Sequence, residues 1–362
     1  MNKQKIKSQR KENPKSNEPR ENIVLKRLIE EYIETKSPIS SRIICESKYK
    51  TVSSATIRNE LLKLEKKGLI YQQHTSAGRM PTISGYREYI NLISKEIENT
   101  IYDNLDFLKT LLINNYRDIP LSLHYIKQLL AKETDLLTFV AEPEISVDIL
   151  QNLDVFKISK DKLLFVVSLA SGMDKTVVIK PDFEISEQQI KVAVRYINDE
   201  LAGLRIYDIQ NKYIEEMSEK WASENKLLNL FLKEFYFALY EMNNYFIHFD
   251  SNVEFLEQPE FDTKNIIILF LNLMQRQDML VNIMQKNIEN KEWKVILGED
   301  FGNPEWADFS LIYAKYEIFD IPGFLGVIGP SRMDYKNLIP KVRDIAKTIK
   351  ETTKKGMMVV KN

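Results

Sequence analysis

From Ile23 the apolar positions fall three and four apart: Ile23, Leu25, Leu28, Ile29, Tyr32 and Ile33. That spacing gathers them on one face of a helix, which ends before Pro38. Ser40 or Ser41 is placed to cap a short second helix through Ile43 and Ile44. After a break at 48–51, Ser53 or Ser54 caps a third helix that buries Ile57, Leu61 and Leu64, and Gly68 stops it. Residues 69–73 alternate as a strand does, 74–79 form a turn, and 80–83 return as the partner strand. Ser84 then caps a helix through Tyr86, Tyr89, Ile90 and Ile93. Three helices and a hairpin in that order predict a winged helix-turn-helix.

Beyond it, 96–133 reads as helical with one polar side, a connector or dimer helix. Short strand-like runs follow at 138–141, 154–158, 163–169 and 176–179, then a helix at 186–202. Residues 221–290 have a longer period and are rich in Phe, Tyr, Leu and Met, which predicts a helical insert. Strand patterns resume at 293–297, 309–316 and 324–328, and a helix over 335–353 follows. The expected fold class is α+β multidomain. Its parts are a disordered basic tail at 1–20, a DNA-binding domain at 21–95, an α/β domain built from 96–215 with 291–362, and an inserted domain at 216–290.

Charge sharpens this division. The formal net charge is only −1, but residues 1–90 carry 19 Lys plus Arg against 10 Asp plus Glu, and 91–362 carry 32 against 42. A basic end on an acidic body predicts a polyanionic partner at the N-terminal end alone. Cys45 is the single cysteine, which excludes a disulfide within the chain and suits a reducing compartment. The longest apolar runs, 163–170 and 266–274, fall well short of the roughly 20 residues of a membrane span. A soluble cytoplasmic protein is expected.

The third helix carries the candidate chemistry. With its apolar face turned inward, Ser54, Thr56, Arg58, Asn59, Lys63 and Lys66 lie on the other face, and Ser53 stands at its start. Small hydroxyls near a helix N-terminus suit phosphates and base edges. Arg58 matches the two acceptors of guanine and Asn59 the donor–acceptor pair of adenine, and the sequence does not rank the two. In the turn, His74, Thr75, Ser76 and Arg79 form the wing, with Arg79 expected at its tip, in a minor groove or on phosphate. Arg42, with Lys26, Arg27, Lys48 and Lys50, adds contacts that position without specifying.

Little elsewhere invites chemistry. The segment 326–335 is Gly-rich but has no phosphate-loop spacing, and a structural turn holding Arg332 against Asp334 or a neighbouring acid is expected. His74, His124 and His248 are scattered without zinc spacing, and the latter two read as helix-face residues. No cofactor, no metal and no catalysis are expected. Of the insert's aromatics, Phe231, Phe235, Phe237, Tyr240, Tyr245 and Phe246, most are expected in the core and the rest against a partner.

Three runs carry a resemblance: Ser53-Ser54-Ala55-Thr56-Ile57-Arg58-Asn59-Glu60-Leu61; His74-Thr75-Ser76-Ala77-Gly78-Arg79-Met80-Pro81-Thr82; and Gly326-Val327-Ile328-Gly329-Pro330-Ser331-Arg332-Met333-Asp334-Tyr335. Together with Leu64 to Ile70 and Gly85-Tyr86-Arg87, they resemble the HrcA family of heat-inducible transcription repressors, from Glu21 onward. The resemblance implies a homodimer of three parts: a winged helix, a GAF-like domain and an inserted dimerising domain. It also implies binding to double-stranded DNA at the CIRCE inverted repeat of chaperone operons, and dependence on the GroEL chaperonin. Two features depart from the family pattern. The first 20 residues precede its usual start, and Ile39-Ser40-Ser41-Arg42 stands where a Pro-Val-Gly-Ser type of entry is more usual. A small-molecule sensor in the central domain is the alternative from another class.

Overall fold

The structure is a computed structural model. It describes residues 18–46, 54–74, 77–102, 105–115, 119–143, 145–224, 226–242, 247–251, 255–258, 260, 264–288, 291–318 and 320–360. Most of the expected basic tail lies outside them. The chain divides into two compact units, Met1–Lys95 and Glu96–Asn362.

The first unit holds α1 (Arg20–Thr35), α2 (Ser41–Glu46), α3 (Ser54–Lys66), β1 (Ile70–Gln72), β2 (Arg79–Pro81) and most of α4 (Ile83–Asn99). Its core is Val24, Leu25, Leu28 and Ile29 from α1, Ile44 from α2, and Ile57, Leu61 and Leu64 from α3. Each such burial contributes about 1.5–3 kcal/mol before the entropy of ordering is set against it. Gly68 ends α3 at φ +70°, a left-handed turn that returns the Leu69 N–H to Leu64 O at 3.0 Å. One expectation is corrected here. Thr82, not Ser84, caps α4: its Oγ1 accepts from Gly85 N at 3.0 Å and donates to Gly68 O at 2.7 Å. The helix starts at Ile83, so Ser84 already sits in its first turn.

In the second unit, α5 (Asp106–Asn114) and α6 (Ile119–Thr134) lead into β3 (Leu137–Ala141). The strands β4 (Leu150–Ser159), β5 (Lys162–Leu169) and β6 (Lys175–Ile179) form an antiparallel sheet of their own. Leu153, Leu163, Phe165 and Val167 line its covered face, under α7 (Glu187–Leu201) and α10 (Lys226–Met242). Ser186 and Gln189 make a reciprocal capping box on α7. Asn198 on α7 pairs with both backbone groups of Leu153, at 2.8 and 2.9 Å, in the place of a further strand. Between α7 and α10 come α8 (Ile206–Asp208), a π-helical turn (Ile209–Tyr213) and α9 (Ile214–Glu224).

The other sheet has five antiparallel strands in the order β7-β3-β10-β9-β8, with β7 at Ile247–Asp250, β8 at Trp293–Leu297, β9 at Phe309–Ile318 and β10 at Ile321–Pro330. On one face, α11 (Lys264–Gln275) and α12 (Gln277–Ile288) pack Phe270, Leu273, Leu280 and Met284 against Phe139, Leu311, Tyr313 and Phe324. On the opposite face lie α6 and α13 (Tyr335–Val360): Thr138 Oγ1 donates to Lys127 O on α6, and Tyr335 OH meets Ser310 Oγ at 2.8 Å.

Within the second unit β4 to β6 form a sheet separate from the one that holds β8 to β10, while β7, from the segment expected as a helical insert, is a strand that pairs with β3 through Phe139 and Phe249. The segment lying between two neighbours of the larger sheet therefore begins after β3 and ends before β7. His248 correspondingly stands on a strand rather than on a helix face.

Candidate nucleic-acid interface

Helix α3 shows two faces with a sharp boundary. Ile57, Leu61, Leu64 and Glu60 point inward, whereas Ser54, Ala55, Arg58, Asn59, Leu62, Lys63 and Lys66 are exposed and Thr56 is half-buried. Ser54, Arg58, Leu62 and Lys66 follow one another at steps of four and make a continuous stripe along the helix. Lys63 is half engaged, its Nζ 3.1 Å from Glu60 Oε1. Arg58 and Lys66 have no ion pair among the described residues. That leaves two cations on this face whose charge a ligand can neutralise. Three other basic groups of the unit are already occupied: Lys26 by Glu18 at 3.0 Å, Arg27 by Glu31 at 2.5 Å, and Lys67 by Glu21 at 2.7 Å.

Sequence reasoning missed Ala55 and Leu62. Both are exposed on the polar face, Leu62 on the stripe itself, where it is 44 % exposed, an apolar side chain where the helical period predicts none. The signal was present, since Leu62 lies one position off the buried Leu61 and on the line of Ser54 and Arg58.

The hairpin is short. Ile70 pairs with Pro81, Tyr71 with Met80 and Gln72 with Arg79. Gln72 Nε2 donates to Ala77 O at 2.6 Å across the turn, and Ala77 N to His74 O at 2.8 Å. His74 is exposed at this turn. Thr75 and Ser76, like Ser53, Lys48 and Lys50, lie outside the described residues. Ile39 joins the hairpin as a third, one-residue strand: its N–H donates to Arg79 O at 2.9 Å and its carbonyl accepts from Arg79 N at 2.8 Å. Arg42 on α2 is highly exposed and bonded to Glu46 Oε1 at 2.6 Å. That bond and the charge behind it hold the guanidinium further above its already high ordinary pKa.

Arg79 is not at the tip. It opens β2, its side chain is 13 % exposed, and its Nε lies 3.3 Å from Glu65 Oε2 on α3. Two features fix this placement: the backbone pairing with Ile39 and the carboxylate facing the side chain.

In the second unit, Arg332 meets an acid as expected, but the acid is Glu260, gripped by Nε and by Nη2 at 2.6 Å. Asp334 instead accepts from Asn337 and caps α13. Of the aromatics, Phe231 and Phe235 are fully buried, Phe237 and Tyr240 are 59 % and 58 % exposed, and Tyr245 and Phe246 lie outside the described residues. No group of residues that could hold a metal ion occurs among the described residues. No helix among them is long and apolar enough to cross a membrane.

Comparison with known proteins supplies the class. The family model "HrcA protein C terminal domain" matches residues 122–339. The heat-inducible transcription repressor HrcA of Natranaerobius thermophilus is 30% identical over 335 residues, 89% of this chain and 93% of that protein. Those of Chlorobium chlorochromatii and Acetivibrio thermocellus are 27% and 28% identical and cover 92% and 91% of the chain. A crystal structure of a hypothetical protein at 2.2 Å resolution covers 92% of this chain and 99% of its own, with a TM-score of 0.58 at 23% identity, and so shares the fold. The class is that of transcription repressors, not enzymes. Within it, the chain belongs to the HrcA family of heat-inducible transcription repressors.

Proposed function

We propose that the chain is a dimeric repressor that binds the CIRCE inverted repeat of chaperone operons through a winged helix in its first unit. The observation carrying this reading is the exposed stripe on α3, with Arg58 and Lys66 outside any described ion pair. In this reading α3 enters a major groove. Arg58 reads guanine, Asn59 reads adenine, and Ala55 and Leu62 touch thymine methyl groups. Ser53, Ser54, Thr56 and Lys63 contact the backbone at the groove's edge, as do Arg42 on α2 and His74, Thr75 and Ser76 in the wing. The larger sheet, with helices on both faces, is the GAF-like part.

Two copies of so small a reading surface match a palindrome whose half-sites are about one DNA turn apart. Phe237 and Tyr240 on α10 supply an apolar face for the second copy. Heat releases the repressor, and GroEL returns it to the binding form.

The test is a titration of the full chain on a chaperone-operon inverted repeat and on a scrambled duplex, at fixed salt. We expect strong preference for the repeat, and loss of about 1–3 kcal/mol of that preference in Arg58→Ala. Equal weak binding to both duplexes contradicts the reading. Adding GroEL before and after a heat pulse tests the chaperonin arm: unchanged operator binding in all four conditions removes it. For the dimer, Phe237→Ser should shift the sedimenting species toward monomer.

A further inference from the structure

The hairpin is tied to its surroundings at several points. Gln72 crosses the turn to Ala77 O, Thr82 Oγ1 bonds Gly68 O, Ile39 and Arg79 exchange both backbone bonds, and the Arg79 guanidinium reaches Glu65. The first two lie within the hairpin and its roots. The Ile39 bridge fixes β2 to the segment that leads into α2. The Arg79–Glu65 pair joins the body of the hairpin to α3 through side chains.

We propose that Arg79 is a positioning residue. Paired with Glu65, it sets the angle between the hairpin and the reading face of α3, and it makes no phosphate contact itself. The proposal rests on the DNA-binding reading above. Three observations carry it. The Arg79 side chain is 13 % exposed, so little of it is open to a phosphate. Its backbone is held on both sides by Ile39, so the residue cannot swing outward without breaking two bonds of 2.8 and 2.9 Å. Its partner, Glu65, stands two turns beyond Arg58 on the same helix. A carboxylate on a DNA-facing helix repels phosphate, and neutralising it with an arginine from the hairpin removes that repulsion while fixing the geometry. The pair thus makes the spacing between α3 and the wing a fixed quantity, so that both engage one duplex at once.

The experiment compares the parent chain with Arg79→Ala, Arg79→Lys and the charge-swapped double variant Glu65→Arg/Arg79→Glu. Each is titrated on the inverted-repeat and scrambled duplexes over a range of salt. Circular dichroism at the assay temperature confirms equal helix content. For Arg79→Ala we expect affinity for the repeat to fall about tenfold, with the slope of log affinity against log salt unchanged. The swapped variant, which has the parent's net charge, should recover most of the loss, and Arg79→Lys part of it. A slope shallower by about 0.9 in Arg79→Ala means a lost phosphate contact and overturns the proposal. So does a swapped variant no better than Arg79→Ala, or an Arg79→Ala protein that binds as the parent does. A parent chain that fails to prefer the repeat strikes instead at the repressor reading beneath it.

Discussion

A methyl group at position 78 would lie 2.5 Å from both the carbonyl carbon and the oxygen of Pro38, and 2.7 Å from Ile39 N. These are backbone atoms, which cannot yield as a flexible side chain does. Glycine is there because the chain after the turn passes over the strand formed by Ile39. Gly78→Ala therefore forces the bridge apart and should cost about 1–3 kcal/mol, seen as a lower thermal midpoint. Operator binding should fall along with it, and a variant that keeps both parental values contradicts the crossing.

Asp148 makes a different residue-level prediction. Burial pushes its carboxyl above the ordinary value, only partly offset by bonds from Ser171 Oγ at 2.5 Å and Ile149 N at 2.7 Å. A carboxyl with a raised folded pKa favours the folded state at low pH and loses that contribution as pH rises through the folded value. Asp148→Asn should accordingly raise the thermal midpoint relative to the parent at pH 7. The gap should close as pH falls toward the ordinary carboxyl range of about 4. A gap that widens in acid has the wrong sign.

Between elements, one carboxylate joins the two sheets of the second unit. Glu142, just past β3, accepts from His248 on β7 at 2.8 Å and from Lys175 on β6. Burial raises its pKa, but the bonds from His248 and Lys175 and the positive charge beside it outweigh burial and hold it below the ordinary value. Here the sign is opposite to that of Asp148. The contribution is complete above the unfolded pKa of about 4.3 and is lost as pH falls through the depressed folded value. Glu142→Gln should cost about 1–3 kcal/mol at pH 7 and flatten the acid side of the stability profile. An unaltered acid limb refutes the clamp.

The elements themselves were largely legible. The helix from 186, the Gly68 stop and the strand at 163–169 all rest on patterns within a few residues, and each stands where its pattern placed it. The stripe on α3 was legible for the same reason, since helical period alone sorts its faces. Partnership between distant segments was not. Nothing in the sequence of 247–250 says that it joins the edge of β3, because a four-residue strand inside a helical stretch leaves no period to read. Nor did the turn motif reveal that Arg79 folds back on Glu65, since motif spacing carries no side-chain direction.

At the scale of the whole chain, charge is divided as sharply as structure: 19 basic against 10 acidic residues in 1–90, and 32 against 42 in 91–362. In the proposed reading the basic excess of 1–90 draws the polyanion to that end, and the acidic remainder discourages unspecific adhesion. Affinity for any duplex should therefore fall steeply with salt, whereas the ratio between repeat and scrambled duplexes should change far less.

The larger sheet carries a consequence in time. Its strand β3 pairs with β7 only after the chain has travelled through β4 to α10, and with β10 only near the far end, where Val140 meets Leu325. Closing loops of that length precedes any gain from pairing, so β3 joins the sheet late, while the helices and the local β4–β5–β6 and β8–β9–β10 meanders form early. In the interval β3 has both edges open to other chains, a state prone to aggregation. Trp306, buried in the core it shares with Phe139 of β3 and Ile247 of β7, reports closure in a chain bearing Trp221→Phe and Trp293→Phe. On dilution from denaturant its fluorescence should recover after the helical ellipticity, and coincident recovery contradicts late closure. A regulator built this way is exposed to heat twice: through the equilibrium of its fold, and through the slow journey back to it.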